Sequence, residues 1–300
     1  MRPVIKKSYL LLHVGLPKTF SSSLQNSFFP KIFDLKKFNK TTGIKSNFDL
    51  KSLNLTQNQK ILTNENFFIN FRPQVISKNL NFEKKISHIS RLNNIKPIMI
   101  ILYLNKPSSI LKSGYLHISS KSSIFSKTLS FKDYLNCFST FHFPLDIIIK
   151  KIFDEKISLI VVDTKDEKFN IDRSLIDISD YLYNKNILKY KWSSKKDTLS
   201  FSNISPKNYI SYNALRLEKS IRKYLIFLNS TACKISGKNF IYDKLVVRDF
   251  ISLTFNYLNF FPIKFNDENN ILNEFDKSYE RTKAFLSNFE KKGSIYYSDF

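Results

Sequence analysis

One segment near the start of the chain combines a glycine, a cation and several hydroxyl groups in the order that an anion site needs. An apolar run ends at Gly15, and Lys18, Thr19 and three consecutive serines follow where an amphipathic helix is predicted to begin. The free N–H groups of a helix N-terminus, together with its dipole, favour a bound phosphate or sulfate. Lys18 adds a positive charge, and the hydroxyl groups add donors that rotate to suit a ligand. The segment therefore predicts an anion-binding loop.

Apolar runs typical of buried strands alternate with amphipathic helices along the chain, which predicts an α/β fold with a parallel sheet and helices on both faces. Strands are predicted at residues 8–14, 97–104 and 157–163 and within the segment 60–68. Helices are predicted at 21–33, 82–93, 108–119, 131–139, 144–154 and 171–183, and the part from 186 to 300 is predicted to be mostly helical, with helices at 205–228, 244–257 and 269–289.

Polar residues follow three of the predicted strands. They are Gly15–Ser23 after the first strand, Asn64–Glu65 after the second and Asn105–Lys106 after the third. In an open parallel sheet the ligand site lies beyond the carboxyl ends of the strands. These three segments are therefore expected to converge at one edge of the sheet.

The loop lacks the Gly-Lys pair of the nucleoside triphosphatase pattern G-x-x-x-x-G-K-[ST]. It resembles the 5′-phosphosulfate loop of the sulfotransferase family, which is close to G-x-P-K-T-G-T-T-S-L-Q. The residues that match, identically or as Ser for Thr, are Gly15, Pro17, Lys18, Thr19, Ser21, Ser22, Ser23, Leu24 and Gln25. Phe20 stands where the family has glycine. The resemblance implies a P-loop-like fold of the sulfotransferase type and the donor 3′-phosphoadenosine 5′-phosphosulfate, held by Gly15, Pro17, Lys18, Thr19, Phe20, Ser21, Ser22 and Ser23.

A second segment resembles the family's 3′-phosphate motif, in which a buried strand ends in R-x-P and an S-x-Y sequence follows on the next helix. Pro107, Ser113 and Tyr115 match, and Asn105 stands at the arginine position. The resemblance implies that Asn105 and Ser113 contact the 3′-phosphate, with Lys106 or Lys112 as a point cation. Without the resemblance, residues 107–119 are simply a helix that starts with proline.

The resemblance also implies roles in catalysis. Lys18 would neutralise charge on the leaving phosphate oxygen, and Glu65, where the family often has Ser-Ser-Glu, would be the general base. A surface glutamate at a strand end, or an anchor at a helix start, is an equally good interpretation of Glu65. His13 is predicted to pack in the core, and His117 is the less favoured base. The acceptor hydroxyl is expected to belong to a carbohydrate, by family analogy alone.

Composition bounds these interpretations. The 300 residues suit a single domain, with residues 36–59 as an insertion or lid over the site and residues 186–300 on the acceptor side. The cysteines Cys137 and Cys233 imply no disulfide framework, and the longest apolar stretch is too short to span a bilayer, which favours a cytoplasmic protein. The four histidines and two cysteines show no metal-ligand spacing, so no metal is expected.

The formal net charge of +23 raises the question of nucleic-acid binding. The lysines are spread along the chain with no arginine stripe, so they are interpreted as a solvated surface, and no nucleic-acid partner is expected. Such a surface would still attract an anionic donor or glycan. The alternatives are a degenerate family member that binds without turnover, which Phe20 and Asn105 favour, a phosphate-loop kinase, and a basic nucleic-acid-binding protein. The oligomeric state is left open.

Overall fold

The computed structural model describes residues 9–16, 24–33, 61–63, 67–68, 82–119, 130–138, 143–188, 190–193 and 269–300. Contacts divide the chain into two compact units. The first comprises Met1–Ile110, Phe138–Ser202 and Ile271–Phe300, and the second comprises Leu111–Cys137 and Asn203–Asn270. The insertion predicted at 36–59 and the helices predicted at 205–228 and 244–257 lie outside the described residues.

The first unit contains a six-stranded sheet in the order β2-β1-β3-β4-β6-β5. Strands β1 to β4 are parallel, whereas β6 runs antiparallel to both β4 and β5. The strands are β1 (Leu10–His13), β2 (Ile61–Thr63), β3 (Ile98–Leu104), β4 (Ser158–Asp163), β5 (Glu290–Lys292) and β6 (Ile295–Ser298). The α/β class is therefore confirmed, but the sheet is mixed rather than parallel.

The antiparallel strands belong to a C-terminal hairpin that follows the last predicted helix. The turn contains Gly293 at a φ of +61°, a left-handed conformation that glycine adopts without a Cβ penalty. The segment Ile295–Ser298 after the turn is buried, and β-branched and aromatic residues suit a strand that packs on a sheet. The C-terminal part, predicted to be mostly helical, therefore ends in a β-hairpin that the sequence did not predict.

The helices agree closely with the sequence periodicity. A π-helical segment (Leu24–Phe28) runs directly into a short helix, α1 (Phe29–Ile32). The remaining helices are α2 (Phe82–Asn93), α3 (Pro107–Ser119), α4 (Phe131–Asn136), α5 (Leu145–Asp154), α6 (Ile171–Asn184) and α7 (Asn269–Leu286). Among the described residues, none of these helices has the length and apolar character to cross a membrane.

The strands of the first unit are buried on both faces. Leu11, Met99 and Ile101 belong to one hydrophobic cluster with residues of α1 and α6. The alternate residues, such as Leu10 and Ile100, are equally buried and point to the opposite face. There α2 contacts β3 and α5. Helices therefore cover both faces, as a central parallel sheet requires.

The strand order creates a change of direction at β1. The chain passes from β1 to β2 on one side and then crosses β1 to reach β3 on the other. Right-handed crossovers in opposite directions place their helices on opposite faces, which is what α1 and α2 do. In open α/β sheets such a topological switch point opens a crevice at the carboxyl ends of the strands. In this sheet the switch point lies between β1 and β3.

The second unit is described over the later part of α3 and over α4. Its core contains Tyr115, Phe131 and Tyr134, with ring centroids 5.0 Å and 5.3 Å apart for the two pairs that involve Tyr115. The hydroxyl of Ser130 caps α4 by accepting a hydrogen bond from the backbone N–H of Asp133 at 3.0 Å.

Candidate functional site

Gly15 and Leu16 extend the pairing of β1 with β3 beyond the end of the strand. The carbonyl of Gly15 accepts from the N–H of Tyr103 at 2.8 Å, and the N–H of Leu16 donates to the carbonyl of Tyr103 at 3.2 Å. Gly15 adopts a φ of +103°, in a region that favours glycine. Gly15 and Leu16 are therefore bonded to β3 at the level of Tyr103, beside the switch point.

The register brings the carboxyl ends of β1, β2 and β3 to one edge, but most residues of the segments predicted to converge there lie outside the described residues. His13 pairs with Thr63 of β2 on one side and with Ile101 of β3 on the other. The carboxyl ends of β1, β2 and β3 therefore lie at one edge. The predicted loop residues Pro17, Lys18, Thr19, Phe20, Ser21, Ser22 and Ser23 lie outside the described residues, as do Asn64 and the predicted base Glu65.

Asn105 and Lys106 follow β3 at this edge and are half-buried. The side-chain oxygen of Asn105 accepts from the backbone N–H of Lys106 at 2.8 Å. The ammonium of Lys106 lies 3.7 Å from a carboxylate oxygen of Glu280 and 5.7 Å from the centre of the Tyr279 ring. Lys106, predicted as a point cation, therefore already has an acidic neighbour on α7.

The two halves of the predicted 3′-phosphate motif fall in different units. Asn105, Lys106 and Pro107 belong to the first unit, whereas Lys112, Ser113 and Tyr115 belong to the second. Ser113 is half-buried, and Tyr115 is buried among the aromatic rings of α4. Tyr115 therefore serves the core of the second unit.

One face of α7 meets the carboxyl edge of β3 and β4, and the sequence reasoning missed it. The carboxylate of Asp276 accepts from the N–H of Ser108 at 2.8 Å and from its hydroxyl at 2.7 Å, at the start of α3. The hydroxyl of Tyr279 donates to the buried carboxylate of Asp163 at the end of β4. Residues 276, 279, 280 and 283 share a helical face, but the sequence contains no signal for its partners.

Asp163 and Thr164 hold the carboxyl ends of β4 and β3 together. The N–H and the hydroxyl of Thr164 both donate to the carbonyl of Leu104, at 3.0 Å and 2.8 Å. The carboxylate of Asp163 also accepts from the N–H of Lys165 at 2.9 Å, and the ammonium of Lys283 lies 4.0 Å away. The edge next to Asn105 is therefore rigidly hydrogen-bonded.

His13 lies in the core, as the sequence predicted. It is fully buried, with its ring 5.3 Å from that of Phe29 and 6.0 Å from that of Tyr103. Burial penalises the charged imidazolium and lowers the pKa of His13 to about 3. The imidazole is therefore neutral at physiological pH.

Tyr103 is the penultimate residue of β3 and is 1% exposed. Its hydroxyl has no hydrogen-bond partner among the residues that the structure describes. Burial raises the pKa of this phenol, so it keeps its proton at neutral pH and remains a donor. Sequence reasoning passed over Tyr103, because an aromatic residue in an apolar run indicates only a core position.

The described ranges contain no group of three or more His, Cys, Asp or Glu side chains that could hold a metal ion. The described edge carries the ammonium groups of Lys106 and Lys283 next to the carboxylates of Glu280 and Asp163. Comparisons with protein-family models, with curated proteins and with solved structures give no match.

Proposed function

We propose that this protein transfers a sulfuryl group from 3′-phosphoadenosine 5′-phosphosulfate to an acceptor hydroxyl. The observation that carries the proposal is the position of Gly15. Gly15 precedes the segment that contains Lys18 and the hydroxyl residues. It is hydrogen-bonded to Tyr103 at the switch point between β1 and β3. An α/β sheet binds ligands at such a crevice, and the residue types that follow suit a phosphosulfate group.

In the proposed reaction the acceptor oxygen attacks the sulfur of the donor. Glu65 takes the proton of the acceptor hydroxyl, a new S–O bond forms, and the bond from sulfur to the bridging phosphate oxygen breaks. The electron pair leaves with that oxygen on adenosine 3′,5′-bisphosphate, and Lys18 neutralises the developing charge. The transition state is loose and in line, so positioning and charge stabilisation supply most of the catalysis.

The loop residues from Pro17 to Ser23 hold the 5′-phosphosulfate in this proposal, and Asn105 and Ser113 contact the 3′-phosphate. The chain is proposed to have the P-loop-like fold of the sulfotransferases and to work in the cytoplasm without a metal. Residues 36–59 and 186–300 supply the acceptor pocket, and a carbohydrate is the proposed acceptor. The basic composition of the chain suits an anionic donor.

A second candidate function is binding of the same nucleotide without turnover. The surroundings of Asn105 favour it. Asn105 carries no charge, and its oxygen is already used by Lys106. Lys106, the next residue in the chain, lies beside the carboxylate of Glu280. The site therefore lacks the two parallel hydrogen bonds that an arginine would donate to a 3′-phosphate. Its affinity for that phosphate is lower than that of a site with arginine at position 105.

An assay of donor turnover separates the two candidates. The protein is incubated with 3′-phosphoadenosine 5′-phosphosulfate and a panel of glycans, and release of adenosine 3′,5′-bisphosphate is followed by chromatography. Transferase function predicts acceptor-dependent release that Glu65→Gln reduces about 100-fold or more, whereas Glu83→Gln, an exposed glutamate on α2, leaves it unchanged. Donor binding without acceptor-dependent release supports the second candidate and contradicts the first.

A further inference from the structure

Tyr103 lies beside the switch point between β1 and β3, and its buried hydroxyl has no hydrogen-bond partner among the described residues. The backbone N–H of Tyr103 donates to the carbonyl of Gly15, and its carbonyl accepts from the N–H of Leu16. Tyr103 lies two residues beyond Ile101, which pairs with His13, so it is the last residue of β3 on that face before the carboxyl edge. Leu104, the final residue of the strand, points to the opposite face.

The face of Tyr103 is the one on which α1 packs. Tyr103, Phe28 and Phe29 belong to the same buried cluster. The seven residues from 17 to 23 connect Leu16, which is bonded to Tyr103, with Leu24 at the start of the π-helical segment. The Tyr103 side chain therefore lies on the face of the sheet that α1 covers.

A buried hydroxyl without a partner is unfavourable in a folded protein. Such a group loses its hydrogen bonds to water and gains none in return, and each native example calls for an explanation. Phenylalanine has the same ring and would fill the same place without that cost. A bound ligand at this edge would supply the missing acceptor.

We propose that the Tyr103 hydroxyl donates a hydrogen bond to an oxygen of the sulfate or phosphate group bound between β1 and β3. The proposal rests on the proposed function for the presence of that anion, and it adds a binding residue that the loop sequence does not contain. The rigid ring and its bonded backbone hold the donor in place before the ligand arrives, so little ordering entropy is lost on binding.

Tyr297 provides a matched control. It lies in the same hydrophobic cluster, is 5% exposed, and its hydroxyl also lacks a hydrogen-bond partner among the described residues. It differs in position, because it pairs with Ile160 in the antiparallel half of the sheet, away from β1. Tyr297→Phe therefore removes the same atom from the same kind of environment, in a strand separated from β1 by β3 and β4.

The test combines ligand affinity with thermal stability for Tyr103→Phe and Tyr297→Phe. Affinity for adenosine 3′,5′-bisphosphate and for inorganic sulfate is measured by calorimetry at fixed salt. We expect Tyr103→Phe to weaken the binding of both ligands about tenfold, while the Tm of the ligand-free protein stays the same or rises by about 2 °C. We expect Tyr297→Phe to change affinity less than twofold.

The outcomes separate the two proposals. If the wild-type protein binds neither ligand, the proposed function fails and this inference fails with it. If the wild-type protein binds and Tyr103→Phe binds equally well, the inference alone is overturned. A lowered Tm in Tyr103→Phe with unchanged affinity also overturns it, because the hydroxyl would then have its partner within the chain.

Discussion

The hydroxyl of Tyr279 donates to both carboxylate oxygens of Asp163, at 2.8 Å and 3.0 Å. Asp163 ends β4 and is fully buried, while Tyr279 lies in the middle of α7. Burial and the hydrogen bond to Asp163 together raise the pKa of Tyr279. A buried carboxylate is tolerated only when its oxygens accept hydrogen bonds. The pair therefore attaches α7 to the carboxyl edge of the sheet.

Tyr279→Phe is expected to lower the free energy of unfolding by about 1–3 kcal/mol, because it leaves the buried carboxylate of Asp163 short of a donor. The measurement is urea denaturation at pH 7. Tyr183→Phe, an exposed tyrosine on α6, is the control and should change stability by less than about 0.5 kcal/mol. Equal stability of the two variants would contradict the importance of the Asp163–Tyr279 pair.

Asp276→Asn is expected to destabilise the protein by about 1–2 kcal/mol. The carboxylate of Asp276 accepts from both the N–H and the hydroxyl of Ser108 in the first turn of α3, where a negative charge also suits the helix dipole. The same measurement applies. Glu274→Gln removes an exposed carboxylate from the same helix, where it forms a surface ion pair with Lys277, so its effect should be near zero. A larger loss of stability for Glu274→Gln than for Asp276→Asn would contradict a stabilising role of the Asp276–Ser108 hydrogen bonds.

Protonation of His13 is expected to weaken the fold in acid. The pKa of His13 is lowered by burial from 6.5 to about 3 in the folded protein, so between these values the unfolded chain binds more protons. Stability then falls as the pH falls, by up to about 1.4 kcal/mol per pH unit. Denaturation is measured from pH 7 to pH 4 for the wild type and for His13→Phe. The variant should show a shallower slope, and identical slopes would contradict the neutral buried imidazole.

Asn105→Arg is expected to strengthen the binding of adenosine 3′,5′-bisphosphate about tenfold, because a guanidinium can grip a phosphate with two hydrogen bonds. Adenosine 5′-monophosphate should gain much less. Asn184→Arg, at the exposed end of α6, controls for the added charge alone. An equal gain in affinity for both nucleotides would show that the introduced arginine does not contact the 3′-phosphate.

Much of the first unit could be predicted from the sequence. The continuous apolar run of β3 reads as a strand buried on both faces, and α2 and α6 begin and end within one residue of the predicted bounds. These signals are local, because burial on one face imposes a period that the sequence displays. The hairpin of β5 and β6 was missed because three charged residues, Glu290–Lys292, do not resemble a strand, and their pairing with β6 is decided by tertiary contacts.

The candidate site was only partly predictable. The position of Gly15 just after the carboxyl end of β1 was predictable, because an apolar run stops at this glycine. The contacts of Asp276 with Ser108 and of Tyr279 with Asp163 span more than 100 residues of chain, and nothing in the local sequence pairs them. The sequence indicates only a core position for Tyr103, because it lies in an apolar run. That its hydroxyl lacks a partner among the described residues is visible only in the structure.

The most direct test of the phosphosulfate site is a calorimetric titration of the wild type, Lys18→Ala and Lys84→Ala with adenosine 3′,5′-bisphosphate and with ATP at moderate salt. Lys84 is an exposed lysine on α2 and controls for the loss of one charge. We predict that the wild type and Lys84→Ala prefer the bisphosphate, and that Lys18→Ala weakens its binding at least about tenfold. No binding by the wild type, a preference for ATP, or equal affinity of Lys18→Ala would contradict the phosphosulfate site.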